Sequence, residues 1–584
     1  MPSLHLQIGI TILMIEWAAS FVHQTTLHPR TNIANTNIAR QPNTALQWGP
    51  FGGKTEENDS NIEASSEEST KEVYATRVVK SDKEFKDDDD DDDDNNNNDI
   101  IDVQAAKIKP TFAEPTDYDV IVVGAGCAGI GTALSLTRTF GLDPSKVLLV
   151  EQGTKVGDSF RKWPEEMRFI SPSFNQQGWT DSFDLNSIHY DTSPAFSLRS
   201  EHPTGEEYAI YLESIVDQAG LQVQLGTKVV SIVDVGGNSK QEKKDGLGNG
   251  TGGAHPPGPF NVKICREVSD SGEPLSTETL SARYIVWAAG EFQYPRDKRD
   301  MIKTEDGFIP DPNSMFFGAN LCLHNSKVRS WKELPGDEYV VVGGYESGMD
   351  AAINLAQAGK KCKVLASTPC WNLRTGDPSS ELAPYTSDRL RTVLSEGFSG
   401  PNPELVAPIR VVSVEKAKGG VGYNIAAQWK EVDDELALAS RAWGNNIPTD
   451  TEPGEKDSFL VLQTEHPPIL CTGFKGSVAA AAGHLFDFPD PNKPMKGCVG
   501  DGPLLTRNDE STKIPGIFLV GPTVSHGELV FCFVYKFRQR FAVVANAICE
   551  GLGMDTAAAV AESRRTNMYL DNFATCEDTC GDAC

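Results

Sequence analysis

Two stretches of this chain pass from a short apolar run, through closely spaced glycines, into a helical pattern, and few folds admit that order. In the first, Val120-Ile121-Val122-Val123 leads into Gly124-Ala125-Gly126-Cys127-Ala128-Gly129, and Ile130 to Thr139 has helical character. An apolar run of strand length that stops at glycine is a strand buried on both faces. Leu148-Leu149-Val150 supplies a second strand, which ends on Glu151 with Gln152 beside it. Strand, G-x-G-x-x-G, helix and a closing acid together predict an adenine-dinucleotide site. Gly124 permits the tight turn, Gly126 lets the backbone approach a diphosphate, and Gly129 lets the helix pack close to the sheet. The helix N-terminus adds N–H donors and a partial positive charge. Glu151 is placed to accept hydrogen bonds from a ribose diol, and its charge repels a 2′-phosphate, so this site suits FAD or NAD rather than NADP.

The second stretch is a variant of the first. Val340-Val341-Val342 precedes Gly343-Gly344-Tyr345-Glu346-Ser347-Gly348, a helix follows from Met349 to Ala358, and Lys363-Val364-Leu365 is the next strand. Tyr345 stands in the middle-glycine place. No acid closes the second strand, which runs into Ala366-Ser367-Thr368 with Lys363 and Arg374 nearby. Ser367 and those cations suit NADP(H), while Tyr345 leaves open a degenerate turn that no longer binds.

Taken together, these segments resemble the flavoproteins with two dinucleotide-binding domains, and within them the flavin-containing monooxygenase branch and its neighbours of the pyridine nucleotide-disulfide oxidoreductase type. The likeness runs from about Asp119 to Gly553. It includes Ile285 to Phe292 with Pro295, which is similar to the family's linking segment and contains Gly290. It also includes His202-Pro203-Thr204-Gly205, the turn Cys471-Thr472-Gly473-Phe474, and Lys513 to Gly521, similar to the closing strand beneath the flavin. The resemblance implies an α/β architecture of two Rossmann-like, three-layer ββα domains, with the NADP domain inserted in a discontinuous FAD domain. The expected boundaries are 118–335 and 460–555 for the FAD domain and 336–459 for the insert. Two departures stand out: Pro522 replaces the usual acid after Gly521, and five residues rather than three separate Gly318 from His324.

The resemblance implies an FAD-dependent, NADPH-using oxidoreductase, read first as a monooxygenase that oxygenates an N or S centre of a small molecule with O2. A disulfide- or quinone-type reductase and a non-catalytic secretory flavoprotein are the alternatives. No Cys-x-x-Cys occurs in the sequence, although Cys576, Cys580 and Cys584 would share one face of a helical tail. Arg161, in the loop Val156 to Pro164 that follows the first acid, and His526, in the turn Ser525-His526-Gly527, are the catalytic candidates.

Composition narrows the partners. Across 584 residues, 53 Lys and Arg face 82 Asp and Glu, a net charge of −29, which disfavours a broad nucleic-acid footprint. Residues 51–117 hold 21 acids against 8 bases, including the run Asp87 to Asp94, and are expected to be a disordered spacer. No apolar run reaches the roughly 20 residues of a membrane-spanning helix. The apolar stretch Ile8 to Ile15 followed by Ala18-Ala19-Ser20 reads as a secretory signal over residues 1–20. The acid-free stretch behind it admits a two-part plastid leader instead. The sequence leaves oligomeric state open.

Overall fold

The computed structural model describes residues 115–173, 184–235, 258–268, 274–298, 301–304, 307–310, 315–372, 381–431, 456–489, 502–527 and 529–573. The expected leader, the acidic spacer up to residue 114, and Cys576, Cys580 and Cys584 lie outside them. Two lobes make up the described chain, and each is organised around one of the glycine turns.

In the first lobe the sheet order is Gln222–Gln224, Val147–Val150, Tyr118–Val123, Pro274–Trp287, Phe260–Val268 and Lys228–Asp234, and Ile517–Leu519 also pairs with Pro274–Trp287. The strand Tyr118–Val123 is parallel to both of its neighbours. From Val120 to Val123 every residue is buried, as expected of a strand covered on both faces. Pro274–Trp287 has two roles along its 14 residues. Its first part is antiparallel to Phe260–Val268 in a meander, and its last part is parallel to Tyr118–Val123 and Ile517–Leu519. That switch produces the three layers.

The helix Cys127–Leu134 is buried from Ala128 onward, wedged between the sheet and the helix Val534–Gly551. Contact there is tight enough that a Cβ on Gly131 would lie 2.2 Å from the Phe541 ring. On the outer side, Gly205–Ala219 begins at a reciprocal cap. Thr204 Oγ1 accepts the Glu207 N–H at 3.1 Å, and Glu207 Oε2 accepts the Thr204 N–H at 2.8 Å.

The second lobe has a parallel sheet in the order Glu404–Val406, Lys361–Leu365, Glu338–Val342, Ile469–Leu470 and Leu323–His324. Three antiparallel strands, Ile409–Lys416, Tyr423–Trp429 and Phe459–Thr464, pack on it. The expected limits of 336 and 459 therefore need correction. Leu323–His324 and Phe459 to Leu470 belong to this lobe, because Glu338–Val342 needs a parallel partner on its free edge and Ile469–Leu470 supplies it. Among the described residues, no helix is long and apolar enough to cross a membrane.

Gly131→Ala is expected to destabilise the first lobe by about 1–3 kcal/mol through overpacking, read as a lower Tm. Phe541→Leu in the same chain should recover part of that loss. Strict additivity of the two changes would show that the helix contact is not the cause.

Candidate functional site

The two glycine turns have the same backbone. Gly124 and Gly343 both have φ of +111°, a conformation open to glycine and costly for other residues. Gly124 N–H donates to Val150 O at 2.8 Å, and Gly343 N–H donates to Leu365 O at 2.9 Å. A Cβ on Gly124 would lie 2.5 Å from Ala288 O, and one on Gly343 would lie 2.3 Å from Cys471 O. Neither helix that follows has a side-chain cap, since Gly126 and Tyr345 occupy the two cap positions in similar extended backbone. Each turn thus presents uncapped helix N–H groups, the arrangement that receives a diphosphate.

Both turns open on one cavity of about 720 Å³, within the usual range for cofactor sites. From the first lobe, Gly124, Gly126, Cys127, Ala128, Glu151, Gln152 and Gly290 line it, and from the second, Glu346, Ser347 and Asp350. Nothing within 4 Å would meet a Cβ on Gly126, so that cradle is free for a ligand. Ala125 and Gly129 lie behind the wall. The Ala125 N–H donates to Glu151 Oε2 at 2.8 Å, and Gly129 packs on Gly124 O. Gly521 has φ of +114° and lies between two lining residues, Val520 and Pro522.

Glu151 is held in place by the first turn. Its Oε1 accepts the Gly153 N–H at 2.7 Å, so two backbone amides fix both oxygens at the cavity wall. Burial raises its pKa, opposed by those two amides. Each oxygen keeps a lone pair for a ribose hydroxyl. The first turn therefore fits the diphosphate and ribose of an adenine dinucleotide.

In the second turn Gly344, Tyr345 and Gly348 complete the backbone. Tyr345 is 38% exposed and takes the cap position that Gly126 holds in the first turn. Glu346 is tied back, its Oε1 accepting the Ala383 N–H at 2.6 Å, and Asp350 is paired with Arg389 at 2.8 Å. Ser367 is exposed just past the second strand. Lys363, expected to favour a 2′-phosphate, is instead paired with Glu404 on the adjacent strand at 2.9 Å. The backbone fits a second dinucleotide, with a more crowded entrance than the first.

The two catalytic candidates are each held by neighbouring side chains. Neither Arg161 nor His526 is among the residues lining the cavity. Arg161 turns to the helix Gly205–Ala219, where Glu206 and Glu213 bind its guanidinium, the latter at 2.7 Å. His526 Nε2 lies 2.6 Å from Asp509 Oδ1, and Asp509 also accepts Arg540 Nε at 2.8 Å. Asp509 and Arg540 are fully buried, and the His526 ring stacks on Phe573. His526 is thus the outer member of a buried ion-pair cluster. Arg538, on the same helix as Arg540, is buried as well and donates to Asp184 O and Ser187 O.

Sequence reasoning missed the acceptors at the other end of the cavity. Glu291, Gln293 and Asn325 line it, and each has a buried oxygen that no protein group answers. The only sequence signal was the position of Glu291 directly after Gly290.

Comparison with known proteins falls on the same two lobes. The family described as pyridine nucleotide-disulphide oxidoreductase matches residues 121–241 and 274–438. An uncharacterized oxidoreductase, CzcO, of Bacillus velezensis is 24% identical over 253 residues, covering 41% of this chain and 52% of that protein. The protein of the same name in Bacillus subtilis is 23% identical over 247 residues, with the same 41% and 52% coverage. The chain therefore spans about half the length of the curated relatives it matches. Among solved structures, a bacillithiol disulfide reductase from Bacillus cereus is similar over 74% of this chain and 99% of its own, at 17% identity and a TM-score of 0.45. An ornithine N-hydroxylase from Kutzneria sp. 744 is similar over 75% and 99%, at 15% identity and a TM-score of 0.45.

Asp509→Ala leaves Arg540 buried without its partner and is expected to cost about 3–5 kcal/mol, seen as a fall in Tm. His526→Gln should lower Tm while leaving the yellow FAD absorbance per chain unchanged. A His526 variant of normal stability that loses the chromophore would return this ring to the site.

Proposed function

Since the chain belongs to the pyridine nucleotide-disulphide oxidoreductase family, of FAD- and NAD(P)-dependent oxidoreductases, we propose that it is an NADPH-using flavin monooxygenase that oxygenates a nitrogen or sulfur centre of a small molecule. The observation that carries this reading is the single cavity on which both glycine turns open. A flavin bound there would accept hydride from NADPH and activate O2. The rest of the work falls to the protein.

The first turn and Glu151 hold the dinucleotide end, and the helix at Ser347 receives the second diphosphate. The loop between Glu151 and Phe169 covers the cavity with packed aromatics. Phe160 stacks on Phe169 at 5.7 Å between ring centroids, and Trp163 lies 5.1 Å from Phe169. All three line the cavity, and such a wall keeps water from reactive groups. Phe292 and Phe474 form a second stacked pair at 5.4 Å near the loop after Gly290.

The Cys127 thiol does not favour dithiol chemistry. Disulfide exchange needs a thiolate, whereas burial pushes the Cys127 thiol on the cavity wall up to about 12. Burial also raises Cys322 and Cys362 to about 12, and no disulfide joins the described cysteines. A disulfide- or quinone-type reductase remains the second reading, with the cysteines near the C-terminus as its feature.

Anaerobic stopped-flow mixing with NADPH, followed by oxygen in the presence of amine or thioether compounds, tests the proposal. The expected result is bleaching of the flavin faster with NADPH than with NADH, then an N-oxide or S-oxide formed in proportion to the NADPH consumed. Reoxidation that yields only hydrogen peroxide would replace oxygenation with an oxidase or reductase, and turnover only with a disulfide or quinone would replace it with the second reading. No bleaching at all would leave a non-catalytic flavoprotein.

A further inference from the structure

The loop after Gly290 places an excess of hydrogen-bond acceptors at the interlobe end of the cavity. Glu291 Oε1, Gln293 Oε1 and Asn325 Oδ1 are each buried and meet no protein donor. Gln293 cannot help by turning over, because its Nε2 is already committed to Ala289 O at 2.9 Å. Buried acceptors without donors are costly. A carboxyl among them can become a donor, simply by keeping its proton.

We propose that Glu291 is the proton-holding residue of this cavity, a neutral carboxylic acid in a wall that also holds the unanswered acceptors of Gln293 and Asn325, and that it exchanges its proton with the occupant or with solvent. The step is a plain acid–base exchange. The Glu291 O–H bond breaks, its electron pair stays on the carboxylate, and the proton passes to a basic atom of the occupant or to water. Only the identity of the occupant rests on the functional reading above; the protonation of Glu291 does not.

The surroundings favour the neutral form. Arg296, on the same loop, is the charge that draws Glu291 toward ionisation. Its Nε is committed to Phe474 O at 3.0 Å. On the neighbouring elements, Lys327 is paired with Asp297 at 2.7 Å, and His324 Nε2 is held to Gly473 O at 3.0 Å. Lys475 lies on the return turn, His484 is on the cavity wall, and Glu346 and Asp350 line the cavity from the second-lobe helix. Burial outweighs Arg296 and pushes the Glu291 carboxyl up to about 7, against about 4.3 in an unfolded chain.

The sign of the pH effect follows from this. Between those two values the native state holds a proton that the unfolded chain has lost, so its stabilising effect is complete at low pH and is lost as pH rises through about 7. Full-length holoprotein is to be examined by infrared difference spectroscopy across this range, wild type against Glu291→Gln. The expected result is one protonated-carboxyl band in the wild type that converts to carboxylate near neutrality and is absent from the variant. Calorimetric titration with NADP+ in buffers of different ionisation enthalpy should show a fraction of a proton exchanged by the wild type near pH 7 and none by the variant. A wild-type spectrum without that band, or identical proton exchange in the two proteins, would overturn the assignment. If Glu291→Gln does not fold, Glu291→Met replaces it in both measurements. Flavin that fails to be reduced by NADPH would refute the proposed function but leave the infrared result intact.

Discussion

The structure depends on two places where backbone meets backbone without room for a side chain. Gly124 against Ala288 O, and Gly343 against Cys471 O, let each first strand end directly beneath its neighbour. A Cβ at 2.5 or 2.3 Å from a carbonyl oxygen would force the strands apart and swing the following helix away. Because both contacts hold, both helices begin with uncapped N–H groups at the edge of one cavity. The fixing of Glu151 by the Ala125 N–H and the place of Ser347 on the cavity wall go with these turns.

Charge is placed on the same logic of access. Side chains expected near the reaction are held by the scaffold: Arg161 ties the covering loop to an outer helix, and His526 joins Asp509, which is paired with Arg540 in the interior. Fully buried pairs of this sort are sensitive to loss of one partner, so their contribution is to a fixed geometry. On the cavity wall Glu151, Glu346 and Asp350 are held by protein donors, whereas the oxygens of Gln293 and Asn325 meet none.

The parts of the fold legible in the sequence were those set by local sterics. Gly124, Gly126 and Gly129, with the strand before and the acid after, identify a turn whose requirements are met within about thirty residues. The lobe boundary was not legible, because Leu323–His324 and Ile469–Leu470 are two-residue strands, too short to carry a period. Nor could the roles of Arg161 and His526 be read, since nearness in sequence to the expected flavin says nothing of which way a side chain turns. Glu291 went unnoticed for a related reason: its chemistry comes from burial in a cavity lined by distant segments, Asn325 and Phe474 among them, that no local pattern brings together. Tyr345 lies between these cases. Its place in the turn was plain, whereas the similarity of its backbone to that of Gly126 emerged only in three dimensions.

Whether the two turns hold their ligands against each other in one cavity is read by reducing the oxidised holoprotein under argon with NADPH deuterated on one face or the other of the nicotinamide C4. A primary isotope effect on flavin bleaching is expected for one face only, with the label leaving the nicotinamide in a single turnover. Bleaching equally insensitive to label on either face, in a reaction limited by the reductive step, would contradict it.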